Sequence, residues 1–282
     1  MSVSRPGRAP LACASIVVFL AFVPLSGASA QQTSSVVDTT TLRVCADPAA
    51  MPLSNTKGEG YENKIADLLA SHLGIPVKYE WYPQATGFVR NTLNAGKCDL
   101  IIGYAQGDEL VQNTNAYYKS AWVLITKPDS DIADIKNLDD PRLKDKAIGV
   151  QVGAPPASIM GMNGLMKKVK SYTLMVDRRY ESPPEKMIAD LVKGEIDAAI
   201  LWGPIGAYYA KQAGVPLKVI PLVAETKGPR MTYRITMGVR NRDQEWKRQL
   251  NTLIREKQSE INKILLSYGV PLLDEQDRPI TQ

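Results

Sequence analysis

The chain carries one twelve-residue pattern twice, and that repetition limits the folds open to it. Residues 93–104 read L-N-A-G-K-C-D-L-I-I-G-Y and residues 191–202 read L-V-K-G-E-I-D-A-A-I-L-W, which sets Leu93, Gly96 and Asp99 on Leu191, Gly194 and Asp197. In each copy an apolar helix end meets a glycine able to take the left-handed conformation that stops a helix, and a short apolar strand follows. Continuous apolar strands such as Leu100-Ile101-Ile102 and Ala198-Ala199-Ile200-Leu201 suit parallel sheets covered on both faces. The pattern therefore predicts two similar α/β lobes. Ligands of open parallel sheets bind beyond the carboxyl ends of the strands, where the copies place Tyr104 and Trp202. An aromatic residue from each lobe is expected at a shared cleft.

The first thirty residues stand apart from this pattern. Arg5 and Arg8 precede an apolar stretch from Leu11 to Val23, Pro24 follows, and Ala28-Ser29-Ala30 supplies small residues for cleavage. This predicts a signal peptide over 1–30, cleaved after Ala30, with 31–40 as a polar flexible lead-in. The apolar stretch is too short to span a bilayer. The formal net charge of +5 shrinks further once Arg5 and Arg8 are removed, too small a bias for a nucleic-acid partner. The expectation is an exported, periplasmic protein that is not membrane-embedded.

Two cysteines remain beyond residue 30, Cys45 and Cys98. An even pair in an exported protein favours a disulfide, and both flank expected neighbouring strands, 42–46 and 99–103. Two buried free thiols are the alternative, because Cys45 lies late in its strand and Cys98 just ahead of the other. Helical spacing of Ile65, Leu68, Leu69 and Leu73 predicts a helix over 61–73, closed by Gly74. Val77 to Trp81 alternates as a strand, and a helix through Phe88, Val89 and Leu93 leads into the first copy. This βαβαβ order predicts one parallel sheet. Tyr117 to Lys127 reads as a long strand leaving the lobe, and Ala147–Gly153 opens the second lobe. A helix from Gly153-Ala154-Pro155-Pro156 is expected to contain Ile159, Met160, Leu165, Met166 and Val169. Ile235 to Val239 is expected to return to the first lobe, followed by a long helix through Trp246, Leu250, Leu253, Ile254, Ile261 and Leu265. The first lobe is then discontinuous, 41–127 with 228–282, around a second lobe at 128–227. Hinge closure over a cleft is the mechanical consequence.

Much chemistry is missing from the sequence. It has one histidine, His72, near a helix end, and no Cys-x-x-Cys, His-Glu-x-x-His, phosphate-binding glycine loop or Gly-x-Ser-x-Gly elbow. Carboxylates near strand ends, Asp47, Glu59 and Glu62, leave acid–base chemistry as a remote option, with turn and helix capping as the plainer role. No catalytic residue, metal or cofactor is expected. Aromatics gather instead near the strand tips, which suits recognition better than bond-making. The residues expected at a ligand or partner cleft are Asp47, Tyr61, Glu62, Tyr82, Tyr104, Tyr118, Gln151 and Trp202. An apolar groove without a charged centre is the form this cleft is expected to take.

The strand Leu42–Pro48, the unit Asn94–Ile102, Tyr117-Tyr118-Lys119-Ser120 and I-G-V-Q-V-G at 148–153 together resemble the family-3 solute-binding proteins, the two-lobed periplasmic receptors of ABC transporters. The resemblance covers residues 41–272. It implies an α/β, two-lobed periplasmic binding protein of type II, with two parallel-core sheets flanked by helices and a hinged cleft. Amino-acid receptors of that family hold the ligand carboxylate with an arginine after the third strand and the amine with an aspartate ending the second repeat. Here the stretch after Tyr104 is A-Q-G-D-E-L-V-Q-N-T-N, and the second position is Trp202. Neutral residues do not replace a bidentate arginine without a large loss.

A closer similarity lies in R-V-C-A-D-P at 43–48, G-E-G-Y-E-N-K-I-A at 58–66, W-Y-P-Q at 81–84, G-F-V-R-N-T-L at 87–93 and G-K-C-D at 96–99. These strings resemble the binding-protein-like accessory proteins encoded beside quinoprotein methanol dehydrogenases, the J proteins of methanol oxidation clusters. That similarity implies a non-catalytic role in maturing or activating a pyrroloquinoline-quinone-dependent (PQQ-dependent) methanol dehydrogenase. Both cysteines fall within the matching strings, in keeping with a disulfide. A small molecule or peptide remains a possible cleft ligand. The alternative function is an ABC-transporter receptor for a small solute other than a standard amino acid; a dehydratase-like enzyme on the same fold lacks a convincing acid–base pair.

Overall fold

The computed structural model describes residues 1–2 and 37–281. The export segment over 1–30 and the first part of the lead-in lie outside the described residues, apart from the first two. In chain order the first elements are Leu42–Ala46 (β1), Tyr61–Leu73 (α1), Val77–Trp81 (β2), Phe88–Asn91 (α2), Leu100–Ala105 (β3) and Tyr118–Thr126 (β4). Then come Ile148–Gln151 (β5), Pro155–Met162 (α3), Val169–Tyr172 (β6), Pro183–Lys193 (α4), Ala198–Trp202 (β7) and Gly203–Gln212 (α5). Lys218–Pro221 (β8), Thr232–Val239 (β9) and Gln244–Ser267 (α6) complete the chain.

β1 is the centre of the first sheet, with β2 and β3 parallel on either side and Val44 opposite both Tyr79 and Leu100. Alternate residues of a strand face opposite sides, so the apolar runs need two covers. Leu42, Val44, Leu100 and Ile102 pack under Ile65 and Leu69 of α1 and Leu250, Ile254 and Ile261 of α6. Cys45 and Ile101 face the other way, onto Phe88, Val89, Leu93, Cys98 and Val111. Within that second cluster Cys45 and Cys98 form a disulfide with Cα atoms 5.5 Å apart, inside the ordinary span of such bridges. The amide of Asp99 donates to the Arg43 carbonyl at 2.8 Å, which draws the segment ahead of β3 alongside β1.

The second sheet repeats the plan. β5 lies between β6 and β7, both parallel to it, with Ile148 opposite Val169 and Ala198. The duplicated sequence does similar work in each copy. Gly194 ends α4 at φ 79°, and Gly96 takes φ 74° ahead of β3. Asp197 accepts the Ala147 amide at 2.7 Å, while Asp99 accepts the Arg43 guanidinium at 2.7 Å, so each aspartate ties its strand to the start of the neighbouring one. The copies differ at the preceding helix. The expected helix into the first copy stops at Asn91, because Thr92 leaves helical dihedrals and its hydroxyl donates to the Phe88 carbonyl at 2.7 Å.

One strand passes from the first sheet into the second. Tyr118 to Ala121 of β4 pairs antiparallel with β9, and Trp122 to Thr126 pairs with β7, its last four residues with β8 as well. The 117–127 segment thus divides between the two sheets, although the sequence assigned it whole to the first. A second difference lies at Val169, expected in a helix and found in β6. Gly164 at φ 71° breaks the helical run after α3, and Leu165–Lys168 is a single 3₁₀ turn that releases the chain into a strand.

Beneath the first sheet runs a buried ionic chain. Asp99, Arg240 and Asp243 are each at least 96% buried. Arg240 Nη2 lies 2.5 Å from Asp99, its Nε 2.6 Å from Asp243, and its Nη1 donates to the Cys98 carbonyl at 2.6 Å. A guanidinium spreads its charge over three such acceptors at once, which the compact ammonium of a lysine cannot do. No helix among the described residues is long and apolar enough to cross a membrane.

Candidate functional site

β1, β5 and β7 end on the same side of the molecule, and the segments that follow them enclose a cavity of about 550 Å³. After β1 the chain folds into a small hairpin, Ala49–Ala50 against Ser54–Asn55. Asp47 shapes it by accepting the amides of Ala49 at 2.9 Å and Gln84 at 2.7 Å. The hairpin supplies Met51 and Leu53 to one wall. Gln151 at the end of β5 and Trp122 in β4 line the interior, and Ile205 and Tyr209 of α5 supply the opposite wall.

Trp202 ends β7 and stands edge-on to both Trp122, at 6.0 Å between centroids, and Tyr233, at 5.7 Å. Its position is fixed by the next residue. A Cβ on Gly203 would fall 2.3 Å from the Ala121 carbonyl, so only glycine lets α5 start this close to the crossing strand. Trp122 is 92% buried, and its indole Nε1 donor has no hydrogen-bond partner among the described residues.

Polar contacts among the described residues also join the two lobes. Tyr209 donates to the Met51 carbonyl at 3.4 Å and accepts from Ser182 at 3.0 Å. Lys211 donates to the Ser267 carbonyl at 2.7 Å beside the stacked rings of Tyr208 and Tyr268. Arg178, from the segment between β6 and α4, reaches Asp47 at 3.7 Å. The lining also includes Lys57, Arg179, Glu181 and Glu185, so the cavity is not the uncharged groove that the strand tips alone implied.

The eight residues expected at the cleft separate into four pairs. Gln151 and Trp202 line the cavity. Asp47 lines an adjoining cavity of about 400 Å³, with Glu62 near it at the start of α1. Glu62 Oε1 is buried without a hydrogen-bond donor, and a Cβ on Gly103 would fall 2.0 Å from it. Burial, then the neighbouring Asp47 charge, pushes the Glu62 carboxyl up to about 8, against a lowering pull from Arg178. Tyr61 and Tyr118 instead belong to the interior of the first lobe, with hydroxyls 3.2 Å apart, and burial raises both phenols.

Tyr82 and Tyr104 pack on the disulfide side of the first sheet. Tyr82 accepts from Asn91 at 2.9 Å, and burial, then the charge of Asp108, pushes Tyr104 up to about 12. The register explains Tyr104. Tyr104 pairs with Thr236 but Ile101 with Gly238, so β3 holds one residue more than β9 over this stretch. A bulge reverses the facing of the residues beyond it. Gly103 therefore sits under Glu62, and Tyr104 turns away from the cavity to the face of Ile101. The contribution of Arg178, Met51 and Tyr209 was not readable in the sequence, since the first two belong to loops and Tyr209 to the body of α5, none with a strand-tip signal.

Two sheets joined through the long strand β4, with a cavity at the carboxyl ends of their parallel strands, define a type II periplasmic binding protein. The chain belongs to the bacterial extracellular solute-binding proteins, family 3, whose model matches residues 42–270. It is 30% identical over 250 residues to Protein MoxJ of Methylorubrum extorquens, covering 84% of this chain and 83% of that protein. The crystal structure of the periplasmic binding protein XoxJ from Methylobacterium extorquens AM1 is 44% identical, with a TM-score of 0.71, covering 83% of this chain and 100% of that one. The crystal structure of MxaJ from Methlophaga aminisulfidivorans MPT is 30% identical, with a TM-score of 0.70, covering 82% and 100%. All three relatives carry J-type names, the group that the strings over 43–99 resemble.

Proposed function

We propose that this chain is an exported, non-catalytic accessory protein that assists the maturation or activation of a PQQ-dependent methanol dehydrogenase, with its signal peptide removed after Ala30. The J-type relatives support the reading. The observation that carries it is Trp202. Where an amino-acid receptor places an aspartate for the ligand amine, this chain has an indole edge-on between Trp122 and Tyr233. The two guanidiniums at the cleft, Arg178 and Arg179, already have Asp47 and Asp177 as partners. Such a cavity suits an inserted protein segment with apolar side chains better than a free zwitterion.

In this reading Gln151 and Trp202 contact the partner, Asp47 and Glu62 border the contact, and the lobes hinge where β4 passes between the sheets. The test is a titration against the dehydrogenase in its assembled and incompletely assembled forms. Trp202→Ala is expected to weaken association by about 2 kcal/mol or more, as for an interface hot spot, with the far-UV spectrum unchanged. Equal affinity for wild type and variant would move the interface elsewhere. No association with any form of the dehydrogenase would remove the accessory reading.

A further inference from the structure

Between the end of β6 at Tyr172 and the start of α4 at Pro183 lies a stretch of ten residues, T-L-M-V-D-R-R-Y-E-S, with no regular structure. Its backbone hydrogen bonds among the described residues are few: the amides of Tyr180 and Glu181 both donate to the Asp177 carbonyl, and at its end the Ser182 carbonyl accepts the Lys186 amide of α4. Leu174, Met175 and Tyr180 are exposed, Tyr180 to 81%. A segment with few buried apolar contacts, tied to the second lobe by hydrogen bonds only at its Ser182 end, belongs to the low-stability end of a fold.

Its position is more telling than its composition. Leu174, Val176, Arg178 and Arg179 line both the 550 Å³ cavity and the adjoining 400 Å³ cavity. The segment is thus a partition between two spaces. Its side-chain tie to the first lobe is Arg178 on Asp47, at 3.7 Å and with the arginine side chain 36% exposed. At 3.7 Å the pair lies beyond hydrogen-bond distance, and only its arginine side is open to water, the Asp47 side chain being 5% exposed. Arg179 has no such role, because both of its contacts stay within the segment, to Asp177 at 2.6 Å and over the Tyr180 ring.

We propose that residues 173–182 form a strap that gates the interlobe cavity, latched by Arg178 on Asp47 and released by breaking that one ion pair. Lifting the strap joins the two cavities into one space large enough for a bulky side chain or a short peptide. The gate is a property of the chain alone, and does not rest on which partner enters.

The strength of the latch depends on Glu62. The groups facing it are Asp47 after β1, Tyr79 of β2, the Gly103 backbone of β3, Tyr117 and Tyr118 at the start of β4, Tyr61 beside it in α1, and Arg178 from the strap. Arg178 favours the ionised carboxylate, so by linkage the ionised carboxylate favours a docked Arg178. With burial pushing Glu62 up to about 8, near neutral pH the carboxyl is mostly protonated and Asp47 alone supplies the counter-charge. Raising the pH through about 8 adds a second negative charge, and the strap tightens.

The test uses the isolated protein. Acrylamide quenching of tryptophan fluorescence, in a background with Trp81→Phe and Trp246→Phe, reads access to Trp122 and Trp202, and hydrogen exchange over 173–182 and 48–57 reads the strap and its landing site. Arg178→Met keeps the apolar stem and removes the charge; it is expected to raise the quenching constant and speed exchange in both stretches a few-fold, while Arg179→Met leaves both at wild-type values. Quenching in wild type is expected to fall between pH 7 and pH 9, and Glu62→Gln to abolish that response. Equal quenching and exchange in wild type and Arg178→Met would overturn the latch, as would an opposite pH response. Because no dehydrogenase is present, failure here leaves the accessory reading standing, and failure of that reading leaves the gate standing.

Discussion

Replacing Cys45 and Cys98 together with alanine tests how the first lobe is held. The disulfide closes a loop whose ends are 53 residues apart, spanning β1, α1, β2 and α2. In the chain-entropy description a loop of that length stabilises the native state by roughly 4 kcal/mol, acting by restricting the unfolded chain. Both sulfurs also lie within the cluster of Phe88, Val89, Leu93 and Ile101, so their loss removes some packing as well. The expected total is about 4–5 kcal/mol at 25 °C. For a chain of this size that corresponds to a fall in Tm of roughly 8–20 °C. Urea unfolding of mature protein, followed by far-UV circular dichroism, measures the first quantity, and a thermal scan the second. Reduction of the wild type with dithiothreitol should reproduce the loss to within about 1 kcal/mol, since breaking the cross-link and deleting it release the same loop. A loss below about 1 kcal/mol in the double variant, with an unchanged urea slope, would refute the argument, because the loop closed by the bridge is a matter of chain length alone.

Two further substitutions probe the frame around the site. Arg240→Met leaves Asp243 buried without its guanidinium and Asp99 with Arg43 alone, and should cost about 3–5 kcal/mol in urea unfolding; Arg240→Lys should recover little, because an ammonium cannot span Asp99, Asp243 and the Cys98 carbonyl together. Gly203→Ala drives a methyl against the Ala121 carbonyl and should cost about 1–3 kcal/mol, with a changed near-UV spectrum as Trp202 leaves its place between Trp122 and Tyr233. A wild-type near-UV spectrum in that variant would show that the close approach does not position the indole.

Features that depend on local periodicity were legible in the sequence. The apolar stripes of α1 and α6, the glycine that ends α4, and the paired aspartates Asp99 and Asp197 follow from spacings of a few residues, and they stand where the repeat implied. The cavity was legible only where it uses strand tips, at Gln151 and Trp202. Tyr104 shows how the inference fails: counting alternate residues along β3 assumes an unbroken ladder, and one bulge before it reverses the face. Tyr61 and Tyr118 show another limit, since an aromatic side chain near a cleft and one inside a core have the same local sequence signal. The strap had no signal at all. Arg178 finds its carboxylate far away in the chain, and a stretch without periodicity gives no hint of what it will touch.

The order in which the chain is made has a bearing on why the cysteines sit where they do. β3 is flanked by β1 on one side and by β9 on the other, and β9 and α6 lie beyond the entire second lobe. A nascent chain that has completed β1, β2 and β3 consequently carries an open strand edge and a bare apolar face, and must wait through residues 106–231 for the segments that cover them. Unpaired edges of that kind invite pairing with neighbouring chains. Cys45 and Cys98 are both synthesised before that interval begins, and an oxidising compartment can join them at once. The bridge then keeps the early half of the lobe in register through the interval in which it has no cover of its own.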